Sequence, residues 1–177
     1  MLRKAWGGIK DKPAYTTWLI VVVVAIHAFA TSLGWIPDVW SKITGDDSSG
    51  DNVVNLYIAM LSVSALQASF AGVIVSLGLS SEYSSFRVLR AEGGKALRSN
   101  WMSITRNGFI SSGCALVATL LQLMGSGNVA VWFFEASVLF CMHGIMRLLW
   151  LFSRLIRLVG AEDAKEQREK HVKHAGH

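Results

Sequence analysis

The chain has 177 residues, 52% of them hydrophobic and only 16% charged, with seven Trp and a mean hydropathy of +0.40. Soluble domains are about 25% charged, so this composition excludes an ordinary water-soluble domain and points to lipid as the solvent. In that setting the formal net charge of +5 is a topology signal and an attraction to anionic headgroups, not a nucleic-acid footprint.

Residues 1–14 form a basic arm with Arg3, Lys4, Lys10 and Lys12, and with Trp6 and Ile9 suited to the headgroup region. The first apolar run, residues 15–35, is too long for the apolar core of a signal peptide and is followed by others, so it reads as a retained span. Trp18 and Trp35 stand near its ends, where aromatic side chains favour the membrane–water interface. A second span covers residues 53–79. A third covers about 104–124, and the Gly-containing GSGN turn then leads directly into a fourth, so these two are antiparallel neighbours. The fourth span covers 129–150, with a helical extension to 159. A hydrocarbon core about 30 Å thick takes roughly 20 helical residues, so the arginine-bearing remainder must emerge from the bilayer. Residues 161–177 are a polar tail, supported as a helix by opposite charges at Lys165–Glu169, Glu166–Lys170 and Glu169–Lys173.

Basic residues set the topology. They crowd the arm, the loop between spans two and three (Arg87, Arg90, Lys95, Arg98, Arg106) and the final segment (Arg154, Arg157, Lys165, Arg168, Lys170, Lys173). The loop after span one has Lys42 against Asp38, Asp46, Asp47 and Asp51, and the turn before span four is uncharged. The positive-inside rule therefore predicts an all-α integral membrane four-helix bundle with both termini cytoplasmic. In the inner loop Tyr83, Phe86 and Leu89, and then Leu97 and Trp101, recur at helical spacing with Arg87, Arg90, Lys95 and Arg98 among them. This pattern predicts two amphipathic pieces with a bend at Gly93 and Gly94. They would serve as a collar of cations reaching lipid phosphates, or as a docking surface for a cytosolic partner.

Ionisable residues inside a span are costly and face a bundle interior, a partner or water. His27 lies about 12 Å below Trp35, and Glu135 about 9 Å below Val129, at 1.5 Å per residue. Their matched depths allow a pair, with Gln122 near enough along the third span to join an intramembrane polar cluster of His27, Gln122 and Glu135. The cluster would fix helix register, sense protons or line an oligomeric pore. His143, Arg147, Arg154 and Arg157 fall on one face of the fourth helix, as a lipid-facing basic stripe, the lining of an inner vestibule or a grip for an acidic partner. On span two, Ser64, Ala68, Gly72 and Ser76 recur every four residues, a small-residue face for close helix packing within the bundle or between protomers.

Cys114 and Cys141 lie in apolar runs and read as small packing residues. His171, His174 and His177, on a polar terminus without cysteine, do not read as a metal site. Phosphate-binding loops, zinc-protease and serine-hydrolase signatures and dinucleotide fingerprints are all absent from the sequence. No catalytic residue, cofactor or metal is expected.

In size, span number and basic inner face, the layout resembles that of small four-helix membrane subunits of bacterial anti-phage systems, such as the membrane component of Kiwa. The expectation is an inner-membrane homo-oligomer that acts as a sensor or anchor. It would contact anionic lipid and engage a cytosolic protein through its basic inner face. An oligomeric ion-conducting pore is the alternative, and a holin-like lysis protein the third reading.

Overall fold

A computed structural model of the chain describes residues 13–40, 51–80 and 84–175. The basic residues of the arm, and Lys42, Asp46, Asp47 and His177, lie outside that range. Four helices make up the described chain: α1 (Pro13–Ser32), α2 (Asp51–Ser80), α3 (Ser84–Leu123) and α4 (Gly127–Ala175). Each contains a stretch long and apolar enough to cross a membrane: Tyr15–Ser32, Asp51–Ser76, Trp101–Leu123 and Gly127–Ser153.

Glycine ends two of the helices. Gly34 has a φ of 72° and Gly125 a φ of 77°, a left-handed conformation that only glycine adopts without a side-chain clash. Around Gly34, Trp35 N donates to Ala30 O and Gly34 N to Thr31 O, both at 3.0 Å. Around Gly125, Ser126 N donates to Leu121 O at 2.8 Å and Gly125 N to Gln122 O at 3.0 Å. These paired bonds satisfy the last carbonyls of each helix. The first helix therefore stops at Ser32, short of the expected Trp35. Ser126 O at once accepts from Val129 N and Ala130 N, so only three residues separate the end of α3 from the start of α4.

The helices run up and down. Ser64 meets Ser111 and Ser111 meets Ser137, while Thr17 lies by Arg106 and His27 by Glu135. α1 therefore starts, and α4 finishes, at the same end of the bundle. α2, α3 and α4 form the packed core. α1 lies mainly against α4, with contacts to α3, and leaves Trp18, Val21, Val22, Val23, Ile26 and Phe29 exposed. In water that face would be an error. In a bilayer it is an ordinary lipid-facing surface.

Two apolar clusters bracket the interior. Val53, Tyr57, Ala118, Ala130 and Phe134 pack at the turn end, and Ala71, Trp101, Ile104 and Leu151 at the opposite, basic end. Between them are buried the polar side chains of Ser64, Gln67, Asn107, Ser111 and Ser137, alongside Ala68, Ala115, Phe140 and Cys141.

Two expectations need correction. First, α3 is helical without interruption through Gly93 and Gly94. Glycine costs a helix only about 1 kcal/mol, and the long flanking helix absorbs that cost. Residues 84–100 of the expected inner loop belong to α3, and Tyr83 lies outside the described residues. Second, within one chain Ser64, Ala68, Gly72 and Ser76 do not all face a neighbouring helix. Ser64 and Ala68 are buried against α3, but Gly72 has open space where a Cβ would be and Ser76 is exposed. Each four-residue step overshoots a helical turn by about 40°, so Ser76 lies about 120° round from Ser64. The seam advances instead by alternate fours and threes, through Val53, Tyr57, Met60, Ser64, Gln67, Ala71 and Ile74. That spacing belongs to left-handed helix packing.

Candidate functional site

Helix order and rotation bring His27 on α1 to Glu135 on α4. His27 Nδ1 lies 2.8 Å from Glu135 Oε1 and 2.9 Å from Oε2. Against an ionised carboxylate, which only accepts, the ring presents Nδ1–H to both oxygens. Trp40, in the segment after α1, donates its indole N–H to Glu135 Oε2 at 2.9 Å. Trp132 stacks edge-on against the His27 ring with centroids 5.4 Å apart, and Trp40 does the same to Phe134. The side chains of His27 and Glu135 retain 25% and 12% of their exposure.

The result is a charge-assisted clasp walled by aromatic rings. It fastens α1 and the segment after it to α4, and it spares the bundle an unpaired carboxylate in hydrocarbon. Gln122 does not join it. Its carboxamide oxygen is 3.0 Å from where a Cβ on Gly127 would stand, beside the turn between α3 and α4. The reason is rotational. Phe134 and Ser137 face the α2/α3 interior, and Glu135, about 100° round from Phe134, faces α1.

Below the clasp, three helices share a hydroxyl network. Ser111 Oγ and Ser137 Oγ each donate to the other residue's backbone carbonyl, at 2.7 and 2.8 Å. Ser64 Oγ lies 2.7 Å from Ser111 Oγ. One layer further, Gly144 leaves room for the amide of Gln67, which occupies the place of the missing Cβ, with Asn107 alongside. Both polar atoms of that amide, Asn107 Oδ1 and His143 Nε2 are buried without a hydrogen-bond partner among the described residues.

At the basic end, Arg147 Nη1 donates to Ser103 Oγ at 2.7 Å and Arg106 Nη2 to Thr17 Oγ1 at 3.3 Å. Arg157 is exposed and donates to Ser153 O at 3.2 Å, one turn back on its own helix. Arg154, and likewise Arg87, Arg90, Lys95 and Arg98, lie on described helix, but their side chains fall outside the described set. The expected stripe is therefore divided by depth. His143 and Arg147 are half-buried among α4's neighbours, and Arg157 stands clear of them.

Trp40, Trp132, Ser103, Thr17 and the Ser111–Ser137 pair are site residues that sequence reasoning did not single out. Trp40 lies beyond the end of the first helix, and serines carry no signal of their own until their partners are known. Comparison with known protein families, characterised proteins and solved structures finds no match to this chain.

Proposed function

We propose that this chain is a multi-pass inner-membrane protein with both termini in the cytoplasm, which assembles with copies of itself and acts as a sensor or anchor for a cytosolic protein. The observation that carries this reading is α4. It is one unbroken helix of 49 residues, about 74 Å long, against a hydrocarbon core of about 30 Å. The same rod holds Glu135 of the intramembrane clasp and, past Ser153, Arg154, Arg157, Lys165, Arg168, Lys170 and Lys173. A change at the clasp that shifts or rotates α4 moves the basic extension with it, because a continuous helix is stiff along its axis. The first half of α3, with Arg87, Arg90, Lys95 and Arg98, extends from the same end of the bundle.

A pore is the second reading. Apolar clusters close both ends of the α2/α3/α4 interior, and His27 and Glu135 satisfy each other rather than an open lumen. Both features support the anchor. The likeness in layout to anti-phage membrane subunits extends the proposal to a defence role.

The test is extraction into nanodiscs from native membranes, with complex mass and bound proteins read together for wild type and for Arg154→Glu/Arg157→Glu. The expected result is a wild-type oligomer with a stoichiometric cytosolic protein. That protein should be lost by about tenfold or more in the variant, since opposed like charges cost several kcal/mol, with insertion unchanged. A bare oligomer passing currents that Glu135→Gln alters would overturn the anchor and establish the pore.

A further inference from the structure

Arg106 and Arg147 belong to different helices, α3 and α4, and Arg147 Nη1 reaches Ser103, one helical turn from Arg106 on α3, so the two cations share one level of the bundle. Both are held at the same end of the bundle by hydroxyls, Arg106 by Thr17 of α1 and Arg147 by Ser103 of α3. Three helices thus converge on two guanidinium groups. Their depth is informative. Arg147 is 20 residues beyond Gly127, the first residue of α4, about 30 Å along the axis and so one hydrocarbon thickness from the turn end. Thr17 is close to the start of the apolar stretch of α1 at Tyr15. This is the level at which headgroup phosphates meet hydrocarbon.

The surroundings of Arg106 are apolar on the bundle surface. Met102 and Phe109, one turn to either side of it on α3, are 62% and 67% exposed, and Trp18, next to Thr17, is 69% exposed. A free anion has no use for such flanks, whereas acyl chains do. Guanidinium forks match phosphate oxygens in two-pronged hydrogen bonds, and an anion placed between two repelling cations replaces repulsion with attraction on both sides.

We infer that the junction of α1, α3 and α4 binds the phosphodiester headgroup of one anionic phospholipid between Arg106 and Arg147, with its acyl chains along Phe109 and Trp18. The site is separate from the cytosolic-partner surface and does not depend on it. Bound there, the lipid ties the thinly packed α1 to the core at the end opposite the His27–Glu135 clasp.

The test is native mass spectrometry on the purified, delipidated full chain, titrated with phosphatidylglycerol or phosphatidylcholine. No partner protein is present, so failure of the anchor reading leaves this result unaffected. Wild type should bind the first phosphatidylglycerol about tenfold more tightly than the first phosphatidylcholine, the scale of a charge-assisted hydrogen bond. Arg106→Gln, at an exposed position, should abolish that preference with helix content unchanged, and Arg168→Gln on the tail should keep it. A wild type without preference, or an Arg106→Gln protein that retains it, overturns the site. Displacement of phosphatidylglycerol by millimolar inorganic phosphate would make the ligand a free phosphate and overturn the lipid assignment.

Discussion

Glu135 is the residue on which the intramembrane chemistry turns. Its two oxygens take Nδ1–H of His27 and the indole N–H of Trp40, so its removal unfastens two segments at once. Interhelical hydrogen bonds in bilayers are each about 0.6–2 kcal/mol. Glu135→Gln keeps an acceptor oxygen and should cost about 1–2 kcal/mol. His27→Phe leaves the carboxylate with Trp40 alone in an aromatic pocket and should cost more. The double variant should recover part of the sum, because it leaves no carboxylate short of a partner. Unfolding titrations in mixed micelles, arranged as a double-mutant cycle, measure the coupling. Additivity within about 0.5 kcal/mol would mean that the pair does not hold the bundle. The depth match of His27 and Glu135 was legible in the sequence because rise per residue is constant along a helix. The contribution of Trp40 was not, since a residue past a helix end has no depth until the chain's turn is known.

Among elements, the seam shared by α2, α3 and α4 decides stability. It is built mostly from small residues at alternating spacings of three and four: Gly108, Ser111, Ala115 and Ala118 on α3, and Ala130, Ser137, Cys141 and Gly144, with the larger Phe134 between Ala130 and Ser137, on α4. Small side chains bring backbones close and recover through packing what the hydrophobic effect does not supply in lipid. Gly108 and Gly72 should therefore respond in opposite ways to the same substitution. A Cβ on Gly108 would lie 2.9 Å from Ala68 Cβ and 3.1 Å from its Cα, atoms that cannot move without separating the helices. Gly108→Ala is expected to cost about 1–3 kcal/mol. Gly72 meets nothing within 4 Å, so Gly72→Ala should be neutral or stabilise by about 0.5–1 kcal/mol through helix propensity. Thermal unfolding of the purified variants separates the two. Equal losses would place Gly72 in a contact surface, such as one between copies.

At the scale of the whole molecule, the start of α1 and the end of α4 lie at one end of the bundle, and the proposed topology puts that end in the cytoplasm on the ground of its charge. With free thiols confined to single positions in a cysteine-free background, Val39→Cys should react with an impermeant maleimide in spheroplasts. Ala175→Cys should react only after the membrane is opened. Labelling of Ala175→Cys in closed spheroplasts would invert the topology and remove the cytosolic-partner reading with it.

The sequence by itself determined the four apolar helices, their approximate limits and the matched depths of His27 and Glu135. Hydropathy and rise per residue are local properties that add along one strand of chain. Tertiary structure decided which face of each helix meets a neighbour, and here small angular errors matter. A rotation of about 100° per residue sends Glu135 towards α1 while Phe134 enters the core, and leaves Gln122 by the turn. The drift of a strict four-residue step carries Gly72 and Ser76 out of the seam. The same geometry gathers Arg106, Arg147, Ser103 and Thr17, which are scattered over three helices, into one place. No spacing within any one helix records that meeting, because it depends on helix order and rotation together.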